Sequence, residues 1–507
     1  MVLTLPLCPM RFRFAPVALA ALLVSGCVPV LTTASSTPSG QMALERAVER
    51  GLVRAGLAEP AMGVAETPQR AGIVAGPMLA DVTHRGIMVW VQTDAPAEVA
   101  LSYVAVANDS TQLSGQPRVE LAPVQTSAPA NTGAIRIFGL EPGWTYTYSL
   151  TVDGQTLDLD VPTQFTTQSL WQWRTDPPEV TIAFGSCFYD NQPEYDRPGD
   201  PYGRSTDIFD AIVDRQPDAM LWLGDNLYLR EVDWWSAQGI VDRYSYARQT
   251  DDLQRLLAST VHYATWDDHD YGPNDSDRSY VFKDDALATF RDFWPNPTYG
   301  VGGVPGVFTQ FELADVEVFL LDNRYHRAPN RAPMEERTLL GEEQMQWLLD
   351  ALTTSRAPFK LVAMGNQTLN PVEVFETYSN VAPDERDALL DAIHGRGIEG
   401  VVFLSGDRHH GELQRIDREG AYPFYDFTSS PLTAGPSTYP AREDSPEFAS
   451  PTRVEGTLMA GVQNFGEITV TGARRDRTLI MRGFDLEGTL LWEHAVHQND
   501  LRMPRDE

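Results

Sequence analysis

The sequence predicts an α/β chain, in which a layered domain of largely parallel strands and flanking helices follows an all-β segment. Three observations carry this. From about Gly72 to Thr167, short strand-like runs are separated by turn residues. Beyond Pro178, apolar runs of strand length alternate with helical patterns, the rhythm of strands joined through helices. Each of those later runs breaks off into Gly, Asp, Asn, His or Cys.

At 507 residues the chain exceeds one ordinary core, so more than one domain is expected. A hydrophobic share of 42% with 10% aromatics is that of a globular protein. The formal net charge of −31 repels polyanions and argues against general nucleic-acid binding. It favours divalent cations and a protein that holds anions by metals or a few placed cations.

Residues 1–26 read as a secretory signal: Arg11 and Arg13 precede the apolar run Phe14–Val24, too short to span a membrane permanently. Val24-Ser25-Gly26-Cys27 resembles a bacterial lipobox, which implies a lipid anchor on Cys27 as the new N-terminus; the alternative is a plain signal in which Cys27 is incidental. The expectation is an exported bacterial lipoprotein of the periplasm or cell envelope, touching the membrane through Cys27. Residues 27–71 begin with a tether at Thr32–Gly40 and continue with a helical pattern over Met42–Leu57, where Leu44, Val48 and Leu52 recur at spacing four. Of the three cysteines, Cys8 and Cys27 lie in the targeting segment, so Cys187 is alone in the mature body and has no internal disulfide partner.

Residues 72–168 form the all-β segment, with strands at Ile87–Val91, Val99–Tyr103 and Ile135–Phe138. After Leu140-Glu141-Pro142-Gly143, Tyr146, Tyr148 and Leu150 share one face of a further strand and Thr145, Thr147 and Ser149 the other. This resembles the tyrosine corner of fibronectin-type and immunoglobulin-like sandwiches. The segment has no cluster of ionisable groups and reads as a scaffold or lid.

Residues 178–497 form the layered domain. Its strands are expected at Val180–Phe184, Met220–Leu223, Val261–Trp266, Val316–Leu321, Lys360–Met364 and Val401–Leu404, and its helices at Thr206–Arg215, Asp284–Trp294, Gly341–Thr354 and Asp384–His394. The strands end in turn at Ser186-Cys187, Gly224-Asp225-Asn226-Leu227-Tyr228, Asp267-Asp268-His269-Asp270, Asp322-Asn323-Arg324, Gly365-Asn366-Gln367 and Gly406-Asp407-Arg408-His409-His410. One Gly-Asp after a strand is explained by a turn, but carboxyl ends of parallel strands converge on one crevice, so these segments can meet. Thiolate and phenolate suit an ion such as ferric iron, while carboxylates and amides suit calcium, magnesium or manganese. A site with both sets suggests two different ions with an Asp between them.

On these motifs the chain resembles the calcineurin-like metallophosphoesterases and, within them, the PhoD-like alkaline phosphatases. That resemblance implies a β-sandwich flanked by helices in α-β-β-α layers. It implies iron (Fe3+) on Cys187, Asp225, Tyr228 and His409, and calcium (Ca2+) or another divalent ion on Asp225, Asp268 and Asp407, with Asn274 a further ligand. It makes His269 the catalytic residue, with Asp270 orienting it or capping a turn. Asp267 and His410 compete with Asp268 and His409 for their roles, and Asn366 or Gln367 faces the site or caps backbone. Arg324 is a candidate phosphate-binding fork, the alternative being an ion pair with an acidic neighbour. The implied activity is hydrolysis of a small phosphoester by a monomer. A phosphodiesterase or phospholipase D-like activity, or a non-catalytic surface binding module, are the alternatives.

Cys27→Ala is expected to release the protein from membranes, checked by fractionating cells that express both forms; a variant that stays in the membrane fraction contradicts the lipid anchor.

Overall fold

The computed structural model describes residues 72–106 and 118–504. The signal segment, Cys27, the tether and the helix expected at Met42–Leu57 lie outside the described residues. In the all-β segment the strands are β1 (Ile73–Ala80), β2 (Gly86–Thr93), β3 (Glu98–Val106), β4 (Val119–Glu120), β5 (Val124–Gln125), β6 (Thr132–Phe138), β7 (Thr145–Val152), β8 (Gln155–Thr156) and β9 (Gln164–Thr166). The layered part follows with β10 (Val180–Gly185), β11 (Ala219–Leu223), β12 (Val261–Thr265), β13 (Thr309–Leu313), β14 (Val316–Leu320), β15 (Phe359–Met364), β16 (Val401–Ser405), β17 (Glu412–Ile416) and β18 (Phe424–Thr428). The last three strands are β19 (Asn464–Thr471), β20 (Thr478–Asp485) and β21 (Leu490–His497).

Two sheets face each other. A nine-stranded sheet runs β21-β20-β19-β10-β11-β12-β1-β2-β6, and a six-stranded sheet runs β13-β14-β15-β16-β18-β17. The parallel strands are central (β10, β11, β12 and β1 in one sheet, β14, β15, β16 and β18 in the other) and the edges antiparallel. Side chains alternate along each strand. Ile182, Phe184, Leu221 and Tyr263 face the interior that holds Val318, Leu361 and Phe427 of the second sheet, while Ala183, Met220, Trp222 and Ala264 face the helices. Helices at Ala237–Arg248, Asp251–Ser259 and Lys283–Phe293 cover the larger sheet, and Leu348 and Leu352 of Glu342–Thr354 with Leu389 and Ile393 of Pro383–Gly395 cover the smaller. The α-β-β-α layering follows.

The N-terminal segment is all-β, and its strands are shared with the rest of the fold. β1, β2 and β6 extend the nine-stranded sheet, β1 lying parallel to β12, while β3 and β7 form a sheet of their own with β4, β5, β8 and β9. Val89 and Val91 of β2 pack in one core with Leu101 of β3 and Tyr148 of β7, so a small sandwich is closed over the edge of the large sheet. An otherwise open edge beside β12 is thereby paired. The tyrosine corner is present: Tyr146 Oη accepts the backbone N–H of Glu141 at 2.8 Å, and Tyr146, Tyr148 and Leu150 are buried on one face of β7. Among the described residues no helix is long and apolar enough to cross a membrane.

Tyr146→Phe removes the acceptor of the Glu141 N–H and is expected to lower unfolding free energy by about 1 kcal/mol, read as a lower urea midpoint with unchanged slope; an unchanged midpoint contradicts the role given to this bond.

Candidate metal centre

The six strand ends converge. β10, β11 and β12 lie side by side in one sheet and β14, β15 and β16 in the other, so the turns that follow them face each other across the interface. The approach is close enough to demand glycine. A Cβ on Gly224, whose φ is +90°, would sit 2.5 Å from the Cβ of Asp267, and one on Gly406 would sit 2.5 Å from Ser186 Oγ. Four expected ligands adopt left-handed backbone: Cys187 (φ 62°), Asp225 (50°), Asp407 (65°) and His409 (54°). Each such non-glycine residue costs about 1–3 kcal/mol, and such strain clusters where side chains are held for function.

Cys187, Asp225 and His409 place ligand atoms within 4.8 Å of one another. Cys187 is fully buried, with its sulfur 3.6 Å from Asp225 Oδ2 and facing the hydroxyls of Ser430 at 3.1 Å and Ser186 at 3.5 Å. His409 Nδ1 donates to the Gly435 carbonyl at 2.7 Å, which leaves Nε2 as the lone-pair nitrogen, 3.1 Å from Tyr228 Oη. Thiol, carboxylate, phenol and imidazole thus meet at one place.

Asp225, Asp268 and His269 form a second group within 4.8 Å, so Asp225 belongs to both. Asp268 Oδ2 accepts the Asp275 N–H at 2.7 Å, while its Oδ1 and His269 Nδ1 are buried without hydrogen-bond partners. Buried polar atoms are rarely left this way without a further partner such as an ion. Asp407 lies outside these two groups, its backbone N–H held by Ser186 Oγ at 3.1 Å. Asn274 is exposed and gives its amide to Asp275 at 2.7 Å.

The neighbouring acid has another task. Asp267 Oδ1 accepts from Arg324 Nε at 2.5 Å and Asn323 Nδ2 at 2.7 Å, which ties β12 to the end of β14. Arg324 is fully buried and also binds Glu376, whose other oxygen meets Arg327 at 2.5 Å. The phosphate-binding fork expected at Arg324 is therefore corrected to the alternative, an ion pair, because no face of the guanidinium is open. Glu376 was not anticipated; it lies on a loop with no strand-end signal, yet Asp267, Asp268 and Glu376 form a third acidic group. His410 turns away, with Nδ1 on the Arg408 carbonyl at 2.9 Å and Nε2 3.5 Å from Glu412. Gln367 donates to the side chains of Glu412 and Thr428 at 2.8 Å and Asn366 to the Glu376 carbonyl, so Asn366 caps backbone while Gln367 holds two side chains of the smaller sheet. Asp270 accepts the N–H groups of Asn226 (2.8 Å) and Asp267 (2.9 Å), the turn-capping alternative.

Burial, with the negative charge of Cys187 and Asp268 nearby, pushes the Asp225 carboxyl well above its ordinary range. Burial and Asp267 push Asp407 up to about 8, and burial and Asp407 push the Cys187 thiol up to about 12. Asp268 is held low against burial by His269, Arg324 and the Asp275 N–H. A bound cation reverses the upward shifts, since it favours each charged form. The donor chemistry and the unpartnered buried atoms fit metal ions.

A layered α/β scaffold with acid, imidazole and thiol side chains at its strand ends is the metallophosphoesterase-like arrangement. Residues 201–479, more than half of the chain, match the PhoD-like phosphatase family, and the chain belongs to it. A domain of unknown function (DUF7800) matches residues 70–170. Alkaline phosphatase D of Bacillus subtilis (strain 168) is 22% identical over 327 residues, 54% of this chain and 52% of that protein, so the chain spans about half the length of this curated relative. A structure of PhoD matches with a TM-score of 0.66 at 16% identity, covering 87% of this chain and 93% of that one. The purple acid phosphatase PPD1 from yellow lupin matches with a TM-score of 0.59 at 11% identity, covering 85% and 77%. The two structural likenesses show the fold.

Arg324→Met leaves Asp267 buried without its cation and is expected to destabilise the protein by about 3–5 kcal/mol. The check is chemical denaturation; a loss under about 1 kcal/mol, the range of an exposed pair, contradicts the ion-pair role.

Proposed function

We propose that the chain is a metal-dependent phosphoric ester hydrolase acting on small phosphoesters at a two-ion centre. The single observation that carries this is the sharing of Asp225 between two ligand groups, Cys187–Asp225–His409 and Asp225–Asp268–His269. Family membership and the fold likeness to PhoD and a purple acid phosphatase support it. Cys187, Asp225, Tyr228 and His409 would hold iron; Asp225, Asp268 and Asp407, with Asn274 at the rim, would hold calcium or another divalent ion. Bound there, such ions supply Lewis acidity toward phosphoryl oxygens and lower the pKa of water.

The chain's own part is orientation and proton handling. Gly435 and Ser430 fix His409 through its ring and its backbone N–H (2.9 Å to Ser430 Oγ), and Asp225 Oδ1 accepts the His269 N–H at 3.3 Å. The His269 ring lies 4.3 Å from that of Tyr228 and lines an adjoining cavity. Burial lowers its pKa, and the neighbouring Asp268 carboxylate opposes that shift. With Nδ1 enclosed, the protonated ring would give its Nε2 proton to the leaving oxygen and end as neutral imidazole. The leader at residues 1–26 supports an exported lipoprotein anchored at Cys27.

The test is elemental analysis of the purified full-length protein with a panel of phosphomonoesters and phosphodiesters. Metal-bound protein should hydrolyse esters, and Asp225→Asn should lose both ions and the activity. His269→Ala should keep both ions while turnover falls about 100- to 10,000-fold. Undiminished hydrolysis after exhaustive chelation contradicts the proposal, and loss of metal from His269→Ala would make His269 a ligand.

A further inference from the structure

Beside His269 and Tyr228 opens a cavity of about 740 Å³ whose walls include Tyr189, Tyr202, Leu229 and Trp234. A phosphoryl group fills a small part of such a volume, which is of the size that takes a whole small-molecule ligand. Five of the lining side chains are rings: Tyr189, Tyr202, Tyr228, Trp234 and His269. Tyr202 lies with its ring centre 5.0 Å from Tyr189, 5.7 Å from Tyr228 and 5.9 Å from His409, and keeps 45% of its surface exposed.

Several polar groups on the walls are paired with one another, while Asp200 is an exposed carboxylate at the rim. Tyr189 Oη donates to Asp196 at 2.8 Å. Arg230 is divided among Asp196 (3.0 Å), Asp233 (2.7 Å) and Gln192 (2.7 Å), and Arg197 is paired with Glu231. On the same two loops Tyr195, Val232 and Trp235 are more than half exposed, with the Arg230 guanidinium 5.7 Å from the Tyr195 ring. An aromatic face that remains open next to reactive groups is available to a ligand, and flat rings gain from offset or edge-on contact beyond their buried area.

We propose that this cavity is the leaving-group subsite, and that it selects phosphoesters whose alcohol portion carries a planar aromatic group, seated between Tyr202 and Trp234. This rests on the hydrolase reading. Water adds to phosphorus, the P–O bond to the alcohol breaks, and the aromatic alcohol departs with the proton delivered at its oxygen. Tyr202 and Trp234 act as specificity residues.

The experiment compares kcat/KM of the metal-loaded, full-length protein for benzyl, ethyl and octyl esters of phosphate, as monoesters or as methyl diesters according to the class hydrolysed. Benzyl and ethyl alcohol leave with similar acidity, so the comparison reads binding more than intrinsic reactivity. The benzyl ester should be favoured about tenfold over the ethyl ester. Tyr202→Ala and Trp234→Ala should each reduce that ratio to within about threefold, and Tyr202→Phe should keep it. Equal rates for benzyl and ethyl, a preference for octyl, or a benzyl preference that survives both alanine variants overturns the proposal while leaving the hydrolase reading intact. Failure to hydrolyse any ester with metal bound overturns both.

Discussion

Acidic groups are concentrated at one buried point. Asp225, Asp267, Asp268 and Glu376 are all buried, and Cys187 and Asp407 stand beside them, in a chain that is already strongly acidic. Isolated buried carboxylates are expensive, and their mutual repulsion adds to the expense. The protein answers this in two ways. Arg324 and Arg327 neutralise Asp267 and Glu376 from within, which also couples the two sheets. Asp225 and Cys187 receive no such internal cation, and the two groups that share Asp225 have the composition of a metal centre.

The rest of the architecture keeps that arrangement rigid. Parallel strands at the centre of both sheets bring six turns to one place, and glycines at Gly224 and Gly406 let those turns touch. Left-handed backbone at Cys187, Asp225, Asp407 and His409 aims side chains where a regular turn would not. Residues outside the ligand groups then set orientation: Ser186 and Ser430 toward the sulfur, Gly435 toward the His409 ring, and Asp270 across the N–H groups of Asn226 and Asp267. The open aromatic cavity lies on one side of this frame, where His269 is partly exposed.

Much of the site was legible because metal chemistry demands scarce residue types at strand ends. Cys187, Asp225, Tyr228 and His409 could be grouped on that ground and by resemblance, and the structure brings them together. The strands from β10 to β16 were readable except β13, since buried parallel strands are continuous apolar runs. Helices Ala237–Arg248 and Asp251–Ser259 were not anticipated; the first carries Arg243 and Arg248 among its buried residues, which blurs an apolar stripe. The pairing of β1 with β12 was hidden because it joins residues far apart in sequence. Arg324 shows the same limit. An arginine at a strand end looks equally like a ligand for phosphate or for a buried acid, and only the positions of Asp267 and Glu376 in space decide between them.

If the buried acids are kept for cations, stability and metal occupancy must be opposed at Asp225. The most direct measurement is the thermal midpoint of wild type and Asp225→Asn, each with and without metal. The account predicts that wild type is strongly stabilised by metal, as any ligand of the native state stabilises it, and that the metal-stripped Asp225→Asn protein melts above metal-stripped wild type while gaining nothing from added metal. A wild-type midpoint indifferent to metal, with Asp225→Asn less stable under both conditions, would contradict it.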